Sequence, residues 1–125
     1  MENNKISMKE FFDNKELLEV TYIPFDTKLQ TVFVVLQSII DNYGYLNRSI
    51  LRRIATETIL DVITNVDMSM ECEHELKGFD YMYYKQDFQI LDYIEIQYNE
   101  FMKILDEQIA DYNDGKFKVV KSDET

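Results

Sequence analysis

The chain has 125 residues, 46% hydrophobic and 14% aromatic, which fits one domain with a sizeable core and excludes wholesale disorder. Three glycines and one proline are too few for the tight turns of an all-β sandwich, so a mainly α fold is expected. A formal charge of −11 argues against DNA, RNA or anionic membranes as partners, because those ligands must be neutralised by Lys and Arg.

The first helix signal is 7-SMKE-10, where Ser7 and Glu10 can form a capping box. Phe11, Phe12, Leu17 and Leu18 follow as an apolar face, with Asp13-Asn14 placed to break the run into two short turns. Ile23-Pro24 ends whatever precedes it, since the residue before proline avoids the helical region. Pro24, Asp26 and Thr27 then open a helix over about 27–41. Its apolar stripe is Leu29, Val32, Phe33, Leu36, Ile39 and Ile40, widened by Val34 and Val35. Gly44 suits a left-handed cap.

Asn47 is a suitable N-cap for a third helix over about 48–64, which buries Ile50, Leu51, Ile54, Ala55, Thr58, Ile59, Val62 and Ile63. Its other side carries Arg48, Arg52 and Arg53, expected to pair with the protein's own carboxylates, Glu57 among them. These two helices should form an antiparallel hairpin around Gly44. Residues 79–86 read as a short helix. From Phe88 the helical spacing resumes, with a hitch around 95–97, and a last helix over about 97–113 closes the core through Phe101, Ile104, Leu105 and Ile109. The segment 116-KFKVV-120 alternates like a short strand or extended arm, and 121–125 reads as a flexible tail. The expected architecture is a compact, single-domain helical bundle of four to six helices over residues 1–120.

The only cysteine and the only histidine, Cys72 and His74, stand two residues apart among glutamates in 67-DMSMECEHELKGFDYMYYKQD-87. Neighbours one or two apart on a helix point away from each other, and a structural zinc site needs spaced pairs of ligands. A cysteine nucleophile needs a histidine bonded to it and a third group behind that histidine. Neither pattern is present, and the isolated glycines 44, 78 and 115 form no phosphate-cradling loop. The expectation is therefore no metal, no cofactor, no catalytic residue and no enzymatic turnover. A single cysteine fits a reducing compartment, the N-terminus MENNKISMKE lacks the pattern of a signal peptide, and no apolar run approaches the ~20 residues of a membrane span.

Charge and aromatics concentrate in one region. Residues 67–114 carry thirteen acids and three bases, net −10, against net −2 for residues 1–66. Tyrosine is favoured at interfaces because it joins a large apolar area to a polar tip, and an acidic field steers a basic partner. One short helix cannot bury every side. Asp80, Tyr81, Tyr83, Tyr84, Asp87, Asp92, Tyr93 and Glu95 are therefore the expected partner-binding residues, facing either a second copy of the chain or a basic protein.

Three further stretches, 21-TYIPFDTK-28, 64-TNVDM-68 and 101-FMKILDEQIADY-112, carry a resemblance. They are similar to the Tyr-x-Pro-Phe-x-x-Lys opening, the Thr-(Asn/Asp)-(Val/Ile)-(Asp/Glu) step and the acid-Phe-x-x-Ile-Leu ending of small, uncharacterised phage and prophage proteins from Gram-positive and gut bacteria. The chain lacks the proline which those proteins often carry near the position of Ile96. The resemblance implies a viral or mobile-element origin and assigns no reaction. It implies a place in the host bacterial cytoplasm or the virion. The expected function is a non-enzymatic, protein-binding virion or assembly component acting through oligomeric contacts. The alternative is an acidic inhibitor whose carboxylates mimic nucleic acid in the basic groove of a host protein.

Overall fold

In the computed structural model, which describes residues 5–115, Ser7 caps the first helix as its spacing predicts. The Glu10 backbone N–H donates to Ser7 Oγ at 3.1 Å, while the Ser7 N–H donates to Glu10 Oε1 at 2.7 Å. This helix, α1, spans Met8–Asp13, and a 3-10 turn over Lys15–Leu17 follows the break at Asn14. Helix α2 spans Phe25–Tyr43, α3 Arg48–Ile63, α4 Gly78–Lys85, α5 Ile90–Tyr93 and α6 Glu95–Asn113. Six helices and no strand make the described residues mainly α, with three isolated β-bridges as the only extended pairing. The segments 116–120 and 121–125, expected as an arm and a tail, lie outside the described residues.

α2 and α3 form the expected hairpin, and α6 packs against α2 to complete the core. Gly44 sits at φ 76° and its N–H closes the last turn of α2 onto the Ile40 carbonyl at 2.7 Å. A non-glycine residue would be strained there. Asn47 Oδ1 accepts from the Ile50 N–H at 3.1 Å to start α3. Phe101, Ile104 and Leu105 are buried as expected, and Ile109 is half-buried.

The helix faces differ in detail from the spacing argument. α3 also buries Thr56 and Leu60, outside its expected stripe, and leaves Ile50, Ile54, Thr58 and Val62 half-buried. α2 begins at Phe25, two residues early, and its buried line runs through Lys28, Val32, Val35, Leu36 and Ile39. Leu29 lies at the rim and Val34 faces outward, because α3 and α6 flank α2 on one side and leave the opposite face uncovered. The hitch falls at Ile94, just before the expected place. Its dihedrals (φ −123°, ψ 23°) end α5 and let α6 start at Glu95.

Between the 3-10 turn and α2, residues 18–24 run extended as a strap over the ends of two helices. At one edge, the Thr21 N–H donates to the Ile63 carbonyl at 2.7 Å. Asn65 Oδ1 accepts from the Glu19 N–H at 2.8 Å, and Asn65 Nδ2 donates to the Leu17 carbonyl at 3.0 Å. At the other edge, the buried Gln97 of α6 accepts from the Ile23 N–H at 2.8 Å and donates to the Thr21 carbonyl at 2.9 Å. A side-chain amide that matches one backbone donor and one acceptor does the work of a strand partner where no strand exists. Asn65→Ala removes two such bonds from partly wetted groups, and is expected to cost about 1–2 kcal/mol in urea unfolding. A change below about 0.5 kcal/mol, the scatter of ordinary surface substitutions, would show that the strap does not depend on Asn65.

Candidate functional site

The stretch between α3 and α4 is a folded excursion rather than a helix. Glu71 and Lys77 pair as an antiparallel bridge, and the Cys72 N–H donates to the Leu76 carbonyl at 2.8 Å. The tip turns on His74 and Glu75, both left-handed at φ 54° and 63°. Two consecutive non-glycine residues in that region are costly, and such strain persists only where surrounding contacts enforce it. Here the enforcing contacts are local. Glu73 accepts from the buried Tyr81 hydroxyl at 3.1 Å, and the His74 ring meets the Tyr84 ring edge-on at 5.3 Å. Burial, then the bond to Glu73, pushes the Tyr81 hydroxyl pKa up to about 12.

The Cys72 thiol donates to the Met70 backbone carbonyl at 3.7 Å, not to His74. Among the described residues no group of three or more His, Cys, Asp or Glu side chains is placed to hold a metal ion.

The eight expected partner-binding residues do not share one surface. Tyr81 is a correction: at 1% exposure it is a core residue, stacked on Phe12 at 5.6 Å, and can touch no partner. α4 turns this side inward because α1 packs against it. Asp80 is exposed on another side, beside Arg53 at 3.7 Å. Asp87 is half-buried, and its Oδ1 accepts from the Gln89 N–H at 3.0 Å, which shapes the turn into α5. Tyr83 is half exposed, wedged between Phe79 at 5.0 Å and Phe88 at 4.9 Å. Tyr84, Asp92, Tyr93 and Glu95 remain outward-facing.

What the structure does bring together is a seam of rings. Tyr93 meets Phe11 at 5.6 Å, Phe11 meets Phe12 at 5.9 Å, and Phe12 stacks on Tyr81 at 5.6 Å. Tyr81 continues to Tyr84 at 6.1 Å, and Tyr84 to His74. These separations are those of favourable edge-to-face and offset pairs. Phe11 and Tyr81 anchor the seam in the core, whereas Tyr93, Tyr84 and His74 present it at the surface. Exposed Asp92 neighbours Tyr93 in sequence, and Lys85 lies 5.9 Å from the Tyr84 ring. The spacing argument missed Phe11, Phe12 and His74 as members, since the two phenylalanines depend on α1 docking beside α4 and His74 on the excursion folding back to Tyr84.

Two polar sites lie apart from the seam. A cleft of about 310 Å³ between α3 and the excursion is lined by Arg53, Glu57, Asp61, Glu75, Lys77 and Asp80, among others. Burial raises the Glu57 and Asp61 carboxyl pKa values, while Arg53 bridges Glu57 and Asp80 at 3.7 Å each. As expected, that arginine serves the protein's own carboxylates.

The second site is Lys28, 1% exposed, a buried cation that periodicity could not reveal because lysine is rarely buried. Its ammonium donates to the Ile23 carbonyl at 2.6 Å, pairs with Glu100 at 2.9 Å, and lies 4.3 Å from the Tyr22 ring. The available signal was in the quoted motifs, whose Tyr22, Lys28, Glu100 and Phe101 meet at this point.

No protein-family model, curated protein or solved structure matches the chain. No helix among the described residues is long and apolar enough to cross a membrane.

Proposed function

We propose that this chain is a non-enzymatic, phage-type protein-binding protein, a virion or assembly component that works through contacts with protein surfaces. The observation that carries the reading is the aromatic seam, which reaches the surface at Tyr84 and Tyr93. Rigid aromatic rings already fixed in a core lose little freedom on binding, and they bury large area per residue. The phage setting rests on the three motifs, and places the protein in the host cytoplasm or the virion. A second reading, an acidic inhibitor of a host nucleic-acid-binding protein, draws on the net charge of −10 in residues 67–114.

Solution mass by light scattering, at low and high salt, separates these readings. An assembly component should exceed its 15.0 kDa monomer mass and resist salt. The double variant Tyr84→Ala/Tyr93→Ala should keep the fold and weaken binding to an assembly partner about tenfold or more, the effect of losing an interfacial aromatic anchor. An inhibitor should instead be a monomer that retains a basic host protein. That retention should fall steeply with salt and with neutralisation of Asp80, Asp87, Asp92 or Glu95. A monomer that retains nothing at either salt would sink both readings.

A further inference from the structure

We propose that the segment 116-KFKVVK-121, which follows α6, folds back along the groove between α2 and α6 and closes it, with Phe117 and Val119 turned inward. The inference goes beyond the assembly reading and does not depend on it. The groove has a volume of about 500 Å³ and is walled by Leu29, Gln30, Phe33 and Val34 of α2 and by Gln108 of α6. The two helices run in the same direction, since Lys28 pairs with Glu100 near their starts and Phe33 shares the groove with Gln108 further on. The groove therefore leads toward the end at which α6 stops. There Gly115, left-handed at φ 77°, donates its N–H to the Tyr112 carbonyl at 3.1 Å. A left-handed glycine after the last turn takes the chain off the helix axis instead of prolonging it. From Gly115 back to the level of Gln108 is seven helical positions, about 10 Å at 1.5 Å per residue. Three extended residues, at about 3.3 Å each, cover that distance, so Phe117 and Val119 are the side chains that reach the groove.

Three features select this occupant. The first is pattern: in an extended segment alternate side chains share a face, which puts Phe117 and Val119 on one side and Lys116 and Lys118 on the other. The second is charge. Residues 116–121 hold three lysines and no acid, in a chain of net charge −11. Exposed Glu107 and half-buried Asp111 stand four positions apart on α6, on the stripe of Glu100, which already reaches across to Lys28 of α2. These two carboxylates flank the groove where the segment enters. They attract lysines on long, flexible stems, and they repel the acidic surface of a second copy. The third is attachment. A segment tethered at Gly115 meets the groove at an effective concentration on the order of millimolar, which a free partner rarely matches. A foreign segment of the same basic and apolar alternation would have to displace it, so the segment acts as a built-in competitor for the groove.

The test is disulfide trapping in the full chain, in a Cys72→Ser background. Val34→Cys with Val119→Cys should form an intramolecular disulfide on mild oxidation, read as a monomer of raised mobility on a non-reducing gel. The control pairs Val119→Cys with Arg52→Cys, an exposed position on α3 that lies away from the groove, and should close at least tenfold more slowly. Adding Phe117→Asp to the first pair should bring its rate down to that of the control, because a carboxylate in place of the ring cannot enter an apolar groove. That substitution lies outside the core described above, so the melting curve should stay that of the parent. Equal rates for the two pairs overturn the proposal. So does a rate unmoved by Phe117→Asp, which would show tethering without docking. A disulfide that forms only between molecules also overturns it, and assigns the groove to the segment of a second copy.

Discussion

Gly78→Ala is expected to destabilise the protein by about 3 kcal/mol, the range of overpacked core positions, although alanine is the better helix former. Gly78 is the first residue of α4, and propensity alone forecasts a gain of about 0.5–1 kcal/mol. Close approach reverses the sign. A Cβ at this position would lie 2.6 Å from the Met68 carbonyl oxygen and 2.9 Å from Met68 Cα. Those atoms are backbone, so no rotamer change relieves the overlap. Met68 is itself buried, and its N–H donates to Asp61 Oδ1 at 2.9 Å. Relief must come from moving α4 off the excursion, which also disturbs the buried Tyr81 at the centre of the seam. Urea unfolding reads the effect directly, and an alanine variant as stable as the parent would show that the two segments can separate without cost.

The buried lysine gives the second large effect, and the ordering of two variants matters more than either value. Removing an ammonium from water costs several kcal/mol, offset here by Glu100, the Ile23 carbonyl and the Tyr22 and Phe101 rings. Glu100→Ala strands the cation with that cost and is expected to lose about 2–3 kcal/mol, below the usual value for a buried pair because its side chain is 48% exposed. Lys28→Met keeps the apolar stem and removes the charge, leaving chiefly the Ile23 carbonyl without its donor, a loss of about 1 kcal/mol. If chemical denaturation finds Lys28→Met the worse of the two, desolvation does not govern this site.

The helices were legible where a local rule decides. The Ser7–Glu10 box, the Asn47 cap and the left-handed Gly44 each depend on residues within a few positions of one another, and each holds as read. The α2–α3 hairpin follows from two apolar stripes and a short turn. What escaped the sequence depends on the third dimension. Nothing local turns Lys28 inward. Its burial needs an acid 72 positions later to arrive beside it. Gln97 was equally hidden, because its buried amide is explained only by the strap it holds.

The tyrosines illustrate the same limit from the other side. Excess aromatic area in 79–98 is real, but adjacent Tyr83 and Tyr84 lie about 100° apart on a helix and serve different neighbours. Tyr83 joins Phe79 and Phe88, whereas Tyr84 joins the seam through Tyr81. A pattern of residue types along the chain could mark the region without saying which rings would line up. Likewise, Asp80 and Asp87 read as a solvated acidic field, yet one sits against an arginine and the other shapes a turn.

The strap of residues 18–24 has a consequence for how the molecule comes apart. Its bonds run to Ile63 and Asn65 on one edge and to Gln97 on the other, so a single short segment fastens the end of the hairpin to the start of the last helix. Lifting either helix away exposes strap amides and carbonyls that have lost their partners, which weakens the hold on the second helix as well. Local opening of one end is therefore coupled to the other. Helix α6 is thereby drawn into the cooperative unit that melts with the core.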